Sequence, residues 1–506
     1  MKKANKAGLL VSAIGASLLG GLIATPAHAQ SGNADSCAAL ASNNSLGASS
    51  VSANWVAADA GKGLPAFCEV KAILSPVADS KIGVVYRLPA DWNGKMLGLG
   101  GGGWAGNVTI MSATPGLKAG YATAQTDGGH PSTSPWDTSW TTNSAAVTDF
   151  AYRAINRMTV AGKAIVKAYY GRAQEKAYFH GCSTGGRMAL MEAQRFPNDY
   201  DGIISEAPVY SLQVQTSAVL RNKTIAAGGG FSPEQLKLVN DAALKACAAK
   251  DGVTDGLTTN PRACAWSPKT LACPAGQAVG SATCLAPKQV SALETLYAGI
   301  KAPDGSYAML PLSKGGELGW SMFIKTDGTG TDQQSGGGMP GLSPLLFGDR
   351  KVDFANLDPN KDVPEARASA FGKMYEATDP DLAAFFSHGG KLLMWHGESD
   401  PGPSPVATAD YVTAVQKGGP KAVSSIRLFM APGVGHCRGG VGPDLVDNLG
   451  TLDQWVTKGT VPEQVVAHRA DGKITRPLCA WPKVAKYKGT GDVNAPASYS
   501  CEAGGK

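Results

Sequence analysis

The sequence predicts an α/β fold, a mostly parallel sheet flanked by helices and interrupted by one large insertion. Three observations carry that prediction. Short β-branched runs alternate with helical periodicity from about residue 81 to residue 204, the rhythm breaks near Val209, and it resumes at Lys391. Strand alternating with helix implies parallel pairing, because each parallel strand needs a crossover to return to the same edge.

The first element lies outside the fold. Lys2, Lys3 and Lys6 precede an apolar run from Ala7 to Ile23, and Ala27-His28-Ala29 is a small-x-small cleavage site before Gln30. Residues 1–29 therefore read as an export signal. The run is short, broken by Gly and followed by Pro26, which argues against a retained anchor helix. No later stretch is apolar enough for a membrane span, so the mature chain is expected to be secreted or periplasmic.

Composition narrows the class further. Hydrophobic residues make up 43% of the 506 and charged residues 17%, enough for a packed core and against disorder. Gly at 64 and Pro at 31 imply many turns, but no Gly-X-Y period exists. The net charge is +6, three less without the signal lysines, and the charges are scattered, which speaks against a nucleic-acid partner.

The strands come next. Lys81–Leu88, Lys95–Leu99, Tyr121–Ala124, Ala177–His180 and Asp201–Ile204 are β-type runs. Between them, Ala145–Tyr170 repeats Phe150, Ile155, Met158, Ile165 and Tyr169 at helical spacing, with Gly171 suited to the cap. Thr184–Phe196 reads as a helix stopped at Pro197. Residues 30–208 are thus the first part of the α/β domain. Residues 209–387 are Gly-, Pro- and Cys-rich, with helical pieces at Ser232–Ala249 and Pro287–Ala298, and read as an inserted lid. Residues 388–506 complete the domain with strands Lys391–Trp395 and Ile426–Met430 and the helix Asp447–Thr457.

The chemistry begins at Gly181-Cys182-Ser183-Thr184-Gly185, which matches G-x-S-x-G between a short strand and a helix. That context is the nucleophile elbow of the α/β-hydrolase fold, whose strained turn lifts the Ser hydroxyl clear of the sheet. A Ser hydroxyl needs a general base, and in this fold the chain order is Ser, acid, His. His436, in the loop Pro432–Cys437 after a strand, suits the base, whereas His180 lies on the nucleophile strand and His396 in or beside a buried one. Asp400 follows the preceding strand and suits the acid, with Glu398 as a weaker contender in a solvated loop. Thr184 and either Gly102 or Gly103, in the glycine run after Leu99, are positioned to offer backbone N–H groups to an oxyanion. That run lacks the Gly-Lys-Ser/Thr ending of a phosphate loop.

The ten cysteines are even in number, in a chain read as exported, so disulfides are the expectation. No C-x2-C pair supports zinc. One bridge follows from the site. If Ser183 and His436 share a hydrogen bond, their neighbours Cys182 and Cys437 come close enough to bond.

Gly181–Arg187, Asp400 and Gly435-His436-Cys437 together resemble the tannase and feruloyl esterase family. Phe150–Ala154 and Gly389–Gly397 support the resemblance, which spans nearly all the mature chain and extends to a branch that hydrolyses a terephthalate monoester. The resemblance implies five bridges, Cys37–Cys68, Cys182–Cys437, Cys247–Cys264, Cys273–Cys284 and Cys479–Cys501. It also implies a structural calcium in the lid. Asp251 and Asp255, four apart in a tight Gly-containing loop, suit a cation that takes oxygen ligands. By the family pattern Val253 and Leu257 add carbonyls, but the first family Asp falls on Ala248. A plain Asp-Gly turn is the alternative. Gly316–Trp320 resembles a lid segment of the family, where Trp320 either stacks on a phenolic ring or belongs to the lid core.

These readings converge on a secreted serine esterase acting on small aromatic carboxylic esters of the feruloyl or galloyl type, with no cofactor in catalysis. A terephthalate-monoester hydrolase is the alternative within the class. A non-catalytic binding protein on the same fold is the alternative outside it.

Overall fold

Strands form where the sequence alternates or runs apolar, and they extend further towards the N-terminus than the pattern suggests. The computed structural model describes residues 32–504 except 43–47, 107, 133, 249–251, 254 and 279–281. The expected signal at 1–29 lies outside the described residues. The first strands are β1 (Ala48–Val56), β2 (Phe67–Leu74), β3 (Ile82–Pro89), β4 (Lys95–Leu99), β5 (Ala122–Thr126), β6 (Lys176–Cys182) and β7 (Gly202–Glu206). The insertion adds only a short ribbon, β8 (Ile300–Lys301) with β9 (Tyr307–Met309). The main sheet resumes with β10 (Lys391–Gly397) and β11 (Ile426–Ala431).

The nine-stranded sheet runs β1-β2-β3-β5-β4-β6-β7-β10-β11. β1, β2, β3 and β5 pair antiparallel, and every pair from β5 through β4 to β11 is parallel. Parallel pairing puts the C-terminal ends of β6, β10 and β11 along one edge. Ser183, Asp400 and His436 lie in the loops leaving that edge.

The parallel strands are buried on both faces. β7 is buried at all five positions, and β10 is buried from Leu392 to Gly397. The long helix reads correctly as one continuous rod, but it carries a π-helical turn at Asp149–Arg153 between Ser144–Thr148 and Ala154–Tyr170. That turn has a job in the packing. The fully buried Arg187 donates Nη1 to the Ala151 carbonyl at 2.7 Å and Nη2 to the Phe150 carbonyl at 3.1 Å, while its guanidinium lies over the Tyr375 ring. The helix Thr184–Arg195 is thereby tied to the long helix and to the insertion.

The insertion is largely helical, with Gln213–Gly228, Pro233–Ala248 and Pro287–Ala298 as its longest helices. Two antiparallel hairpins, β12 (Gln464–His468) with β13 (Thr475–Cys479) and β14 (Lys483–Tyr487) with β15 (Tyr499–Ala503), follow the helix Asn448–Lys458. Among the described residues, no helix is long and apolar enough to cross a membrane.

Candidate active site

The turn at Ser183 is strained because two elements must touch. Ser183 holds φ 63° and ψ −124°, a positive φ that a non-glycine residue rarely adopts. Its backbone N–H donates to the Glu206 carbonyl on β7 at 3.0 Å, and its carbonyl accepts the Val209 N–H at 3.0 Å. The flanking glycines follow from close approach. A Cβ on Gly181 would lie 2.3 Å from the backbone of Gly185. The result is a Ser hydroxyl standing at the start of the helix Thr184–Arg195.

His436 reaches that hydroxyl. Its Nε2 is 2.9 Å from Ser183 Oγ and its Nδ1 is 2.7 Å from Asp400 Oδ2. The carboxylate therefore accepts from Nδ1–H, which leaves Nε2 free to accept from the hydroxyl. Asp400 is buried and well supported. Burial raises its carboxyl, but the imidazoles of His436 and His396 outweigh burial and hold it at about 2. Gly402 N–H donates to its other oxygen at 2.8 Å.

His396 is a fully buried neighbour of that carboxylate, with Nε2 3.2 Å from Asp400 Oδ2 and 3.3 Å from the Pro403 carbonyl. Glu398 departs from expectation. It is buried rather than solvated, and Arg262 of the insertion holds it with two 2.8 Å bonds. Both of its oxygens are thus engaged by Arg262, and His436 Nδ1 donates to Asp400 instead.

The glycine run lies across from Ser183. Thr184 Oγ1 donates to the Gly103 carbonyl at 2.7 Å, and Gly103 sits at φ 58°, where a Cβ would meet Pro135 at 2.3 Å. As the first residue of its helix, Thr184 has an N–H with no intrahelical acceptor. Gly103 and Thr184 both line a small cavity of about 60 Å³ next to Ser183 and His436, whereas Gly102 does not. Trp104, Trp136 and Phe323 form the aromatic walls, and Phe323 stands edge-on to His436 with centroids 5.1 Å apart. Among the described residues, no Lys, Arg, Asp or Glu lines this cavity. His436 also borders an open groove of about 800 Å³ that includes Arg438 and Arg469.

Trp320 is not part of that wall. It is 1% exposed in a short helix, Glu317–Met322, and packs edge-on against Tyr297. The turn points Trp320 into the core of the insertion and leaves Phe323, three residues on, at the cavity. Trp136 and Phe323 escaped the sequence reading because both lie in stretches without strand or helix periodicity.

All five expected disulfides are present, Cys37–Cys68, Cys182–Cys437, Cys247–Cys264, Cys273–Cys284 and Cys479–Cys501. Cys182–Cys437 has a Cα–Cα distance of 6.0 Å and joins the two residues flanking Ser183 and His436.

The loop expected to hold calcium is differently engaged. Asp251 lies outside the described residues. Asp255 Oδ2 is bonded by Arg476 Nη2, and its Oδ1 accepts the Leu257 N–H at 3.0 Å. Arg476 is itself buried, with further bonds to the Val493 carbonyl and to Asn494. Of the carboxylates expected to bind calcium, Asp255 is thus held by a guanidinium, Asp251 is not described, and Ala248 offers none. No cluster of three or more His, Cys, Asp or Glu suited to a metal occurs among the described residues.

The sheet order, the strand–turn–helix at Ser183 and the inserted helices define an enzyme of the α/β-hydrolase fold. Solved structures agree. Feruloyl esterase B from Aspergillus oryzae superposes with a TM-score of 0.83 at 26% identity, covering 93% of this chain and all of that one. Tannin acyl hydrolase from Aspergillus niger shares the fold at TM-score 0.76 and 22% identity, over 94% of this chain and 95% of that one. The chain belongs to the tannase and feruloyl esterase family, whose model matches residues 68–334 and 346–502, and it is a carboxylic ester hydrolase. It is 33% identical to mono(2-hydroxyethyl) terephthalate hydrolase from Piscinibacter sakaiensis, over 87% of this chain and 85% of that protein. It is 31% identical to a probable feruloyl esterase from Arthroderma benhamiae, over 86% of this chain and 85% of that protein.

Proposed function

We propose that the protein is an exported serine esterase that hydrolyses esters of small, uncharged aromatic acids through an acyl-enzyme. The observation that carries this reading is the relay from Ser183 through His436 to Asp400, with bonds of 2.9 and 2.7 Å, set beside an aromatic cavity.

In this reading Ser183 Oγ attacks the ester carbonyl carbon as its proton passes to His436 Nε2. The carbonyl oxygen becomes an oxyanion and takes hydrogen bonds from the N–H groups of Thr184 and Gly103. Gly103 is preferred over Gly102 because it lines the cavity. Collapse breaks the bond to the alcohol oxygen, which leaves with the proton from His436. Water then gives a proton to His436 and attacks the acyl carbon, and Ser183 recovers its proton as the acid departs. Asp400 keeps the imidazole in the tautomer this requires. The aromatic walls suit the acid half of the ester, and the open groove beyond His436 suits the alcohol half.

The relative that acts on a terephthalate monoester supports a second reading. Its acid half carries a free carboxylate, and burying one requires a partner. Among the described residues no Lys or Arg lines the cavity, which favours neutral acids instead. Export is supported by the five disulfides, which persist in oxidising compartments.

A fluorophosphonate probe tests the nucleophile. Labelling should be lost in Ser183→Ala, and Ser183→Ala or His436→Ala should each lower kcat by on the order of a millionfold. Labelling that persists in Ser183→Ala, or near-normal turnover in His436→Ala, would overturn the assignment, and an unlabelled wild type would favour a binding protein. Substrate class is tested by kcat/KM on methyl ferulate against mono(2-hydroxyethyl) terephthalate, with the neutral ester expected to be preferred.

A further inference from the structure

Arg221 is buried in the helix Gln213–Gly228 of the insertion at 1% exposure. Lone buried cations are costly, and none of the ion pairs among the described residues includes Arg221. Instead its guanidinium holds three carbonyls. Nη1 donates to Pro401 at 2.7 Å and to Gly402 at 2.9 Å, and Nη2 donates to Leu310 at 3.0 Å. Leu310 belongs to the insertion, and its own N–H is held by Ser217 Oγ at 2.8 Å. Pro401 and Gly402 directly follow Asp400.

The chain of bonds continues inward. Gly402 accepts from Arg221 on its carbonyl and donates its N–H to Asp400 Oδ1 at 2.8 Å. Pro401, Gly402 and Pro403 also line the aromatic cavity. The same short loop therefore walls the cavity and holds the carboxylate. A second tie, Ser404 Oγ to the Pro311 carbonyl at 2.9 Å, joins it to the same stretch of the insertion. Burial pulls the Arg221 guanidinium down to about 10, and the carboxylate of Asp400 opposes that pull, so the two charges sense each other.

We propose that Arg221 is a positioning residue for the hydrolysis: reaching from the lid, it fixes the loop Pro401–Pro403 and, through Gly402, the carboxylate of Asp400. Seating of the lid and placement of the acid are then one event. A loop of glycine flanked by prolines has few bonds of its own, and a planar fork is the side chain that can satisfy neighbouring carbonyls at once. The proposal rests on the reading of Asp400 as the acid of the relay.

The test is a double-mutant cycle on the full chain with Arg221→Met, Asp400→Asn and the double variant. Turnover of p-nitrophenyl acetate and methyl ferulate is measured well below each variant's melting temperature. Asp400→Asn should lose several orders of magnitude in kcat; wild-type turnover there would sink the relay itself, separately from this proposal. Arg221→Met should lower kcat on both esters about ten- to a hundredfold, as a displaced catalytic group does. In the Asp400→Asn background the same change should cost little more, because both act through one carboxylate. Equal losses in both backgrounds, or an Arg221→Met enzyme with wild-type kcat, would overturn the proposal. Arg221→Lys keeps the charge but not the fork and serves if Arg221→Met does not fold. It should fall between the two, and a full wild-type kcat in Arg221→Lys would show that the fork is not needed.

Discussion

His396 and His436 meet at one atom. The Nε2 of the first and the Nδ1 of the second lie 3.2 and 2.7 Å from Asp400 Oδ2. His396 Nε2 faces only acceptors, Asp400 Oδ2 and the Pro403 carbonyl, so it carries the proton. Its Nδ1 then accepts from Thr408 Oγ1 at 2.8 Å. One imidazole steers the carboxylate and the other uses it.

The first prediction concerns that second imidazole. His396→Leu should keep most of the volume but leave Asp400 Oδ2 one donor short. We expect kcat to fall about tenfold or more with KM little altered, since His396 does not line the cavity. Stopped-flow acylation measured with p-nitrophenyl acetate checks this. An unchanged acylation rate would confine His396 to packing.

The disulfide Cys182–Cys437 closes a span of 255 residues and joins the two site loops, while Cys273–Cys284 closes 11 within the insertion. A displacement of about 1 Å at a reacting group costs on the order of a hundredfold in rate. The double variant Cys182→Ala/Cys437→Ala should therefore lower kcat by roughly that factor and stability by up to about 5 kcal/mol. Cys273→Ala/Cys284→Ala should lower stability by about 3 kcal/mol and leave kcat unchanged. Both are assayed by turnover below their melting temperatures. Wild-type kcat in the first variant would show that the loops keep their register unaided.

Chelation distinguishes a metal-held loop from a guanidinium-held one. Arg476 occupies Asp255, so EDTA should leave the melting temperature and kcat unchanged. Arg476→Met should destabilise by about 3 kcal/mol, because it strands a carboxylate in a largely buried pair. Arg476→Met combined with Ala248→Asp should make the melting temperature respond to calcium. A wild-type enzyme that loses stability in EDTA and contains calcium by elemental analysis would reverse this account.

The parallel half of the sheet was legible because it is buried on both faces. Short continuous apolar runs such as Leu392–Trp395, bounded by glycines, read as buried strands, and the strand–turn–helix at Ser183 marks the end of the sheet from which the loops of Asp400 and His436 also leave. The antiparallel edge was less legible. β1 has a mixed burial pattern, with Trp55 and Val51 half-covered among exposed Ser and Asn, so its alternation is weak. In the insertion two helices were legible, read at Ser232–Ala249 and Pro287–Ala298 and found at Pro233–Ala248 and Pro287–Ala298, but their packing was not. Its fold is set by long-range bonds such as Arg262 to Glu398 and Arg221 to Gly402, which leave no periodic trace. Trp320 and Phe323 show the consequence. They lie three residues apart in one short turn, and local sequence does not say which of them faces the core.

The last prediction concerns a carboxyl outside the relay. Asp127 follows β5, and its Oδ1 accepts the N–H groups of Gly83 at 3.0 Å and Gly129 at 2.8 Å. Burial raises this carboxyl to about 6, with the charge of Asp149 adding to the rise and the two N–H donors opposing it. A carboxyl whose folded value lies above its unfolded value near 3.8 stabilises the fold while it is protonated. That stability is fully present below about pH 4 and is lost as the pH rises through about 6. Asp127→Asn keeps the Oδ1 acceptor and carries no charge to bury. At pH 7 to 8 the variant should be more stable than the wild type by on the order of 2 kcal/mol, and the gain should shrink to nothing near pH 4. Urea unfolding of both proteins at pH 4, 6 and 8 gives the comparison. A gain of equal size at all three values would mean that Asn improves packing rather than removing a buried charge, and a loss at pH 8 would mean that the ionised carboxylate is itself a needed partner of the Gly83 and Gly129 amides.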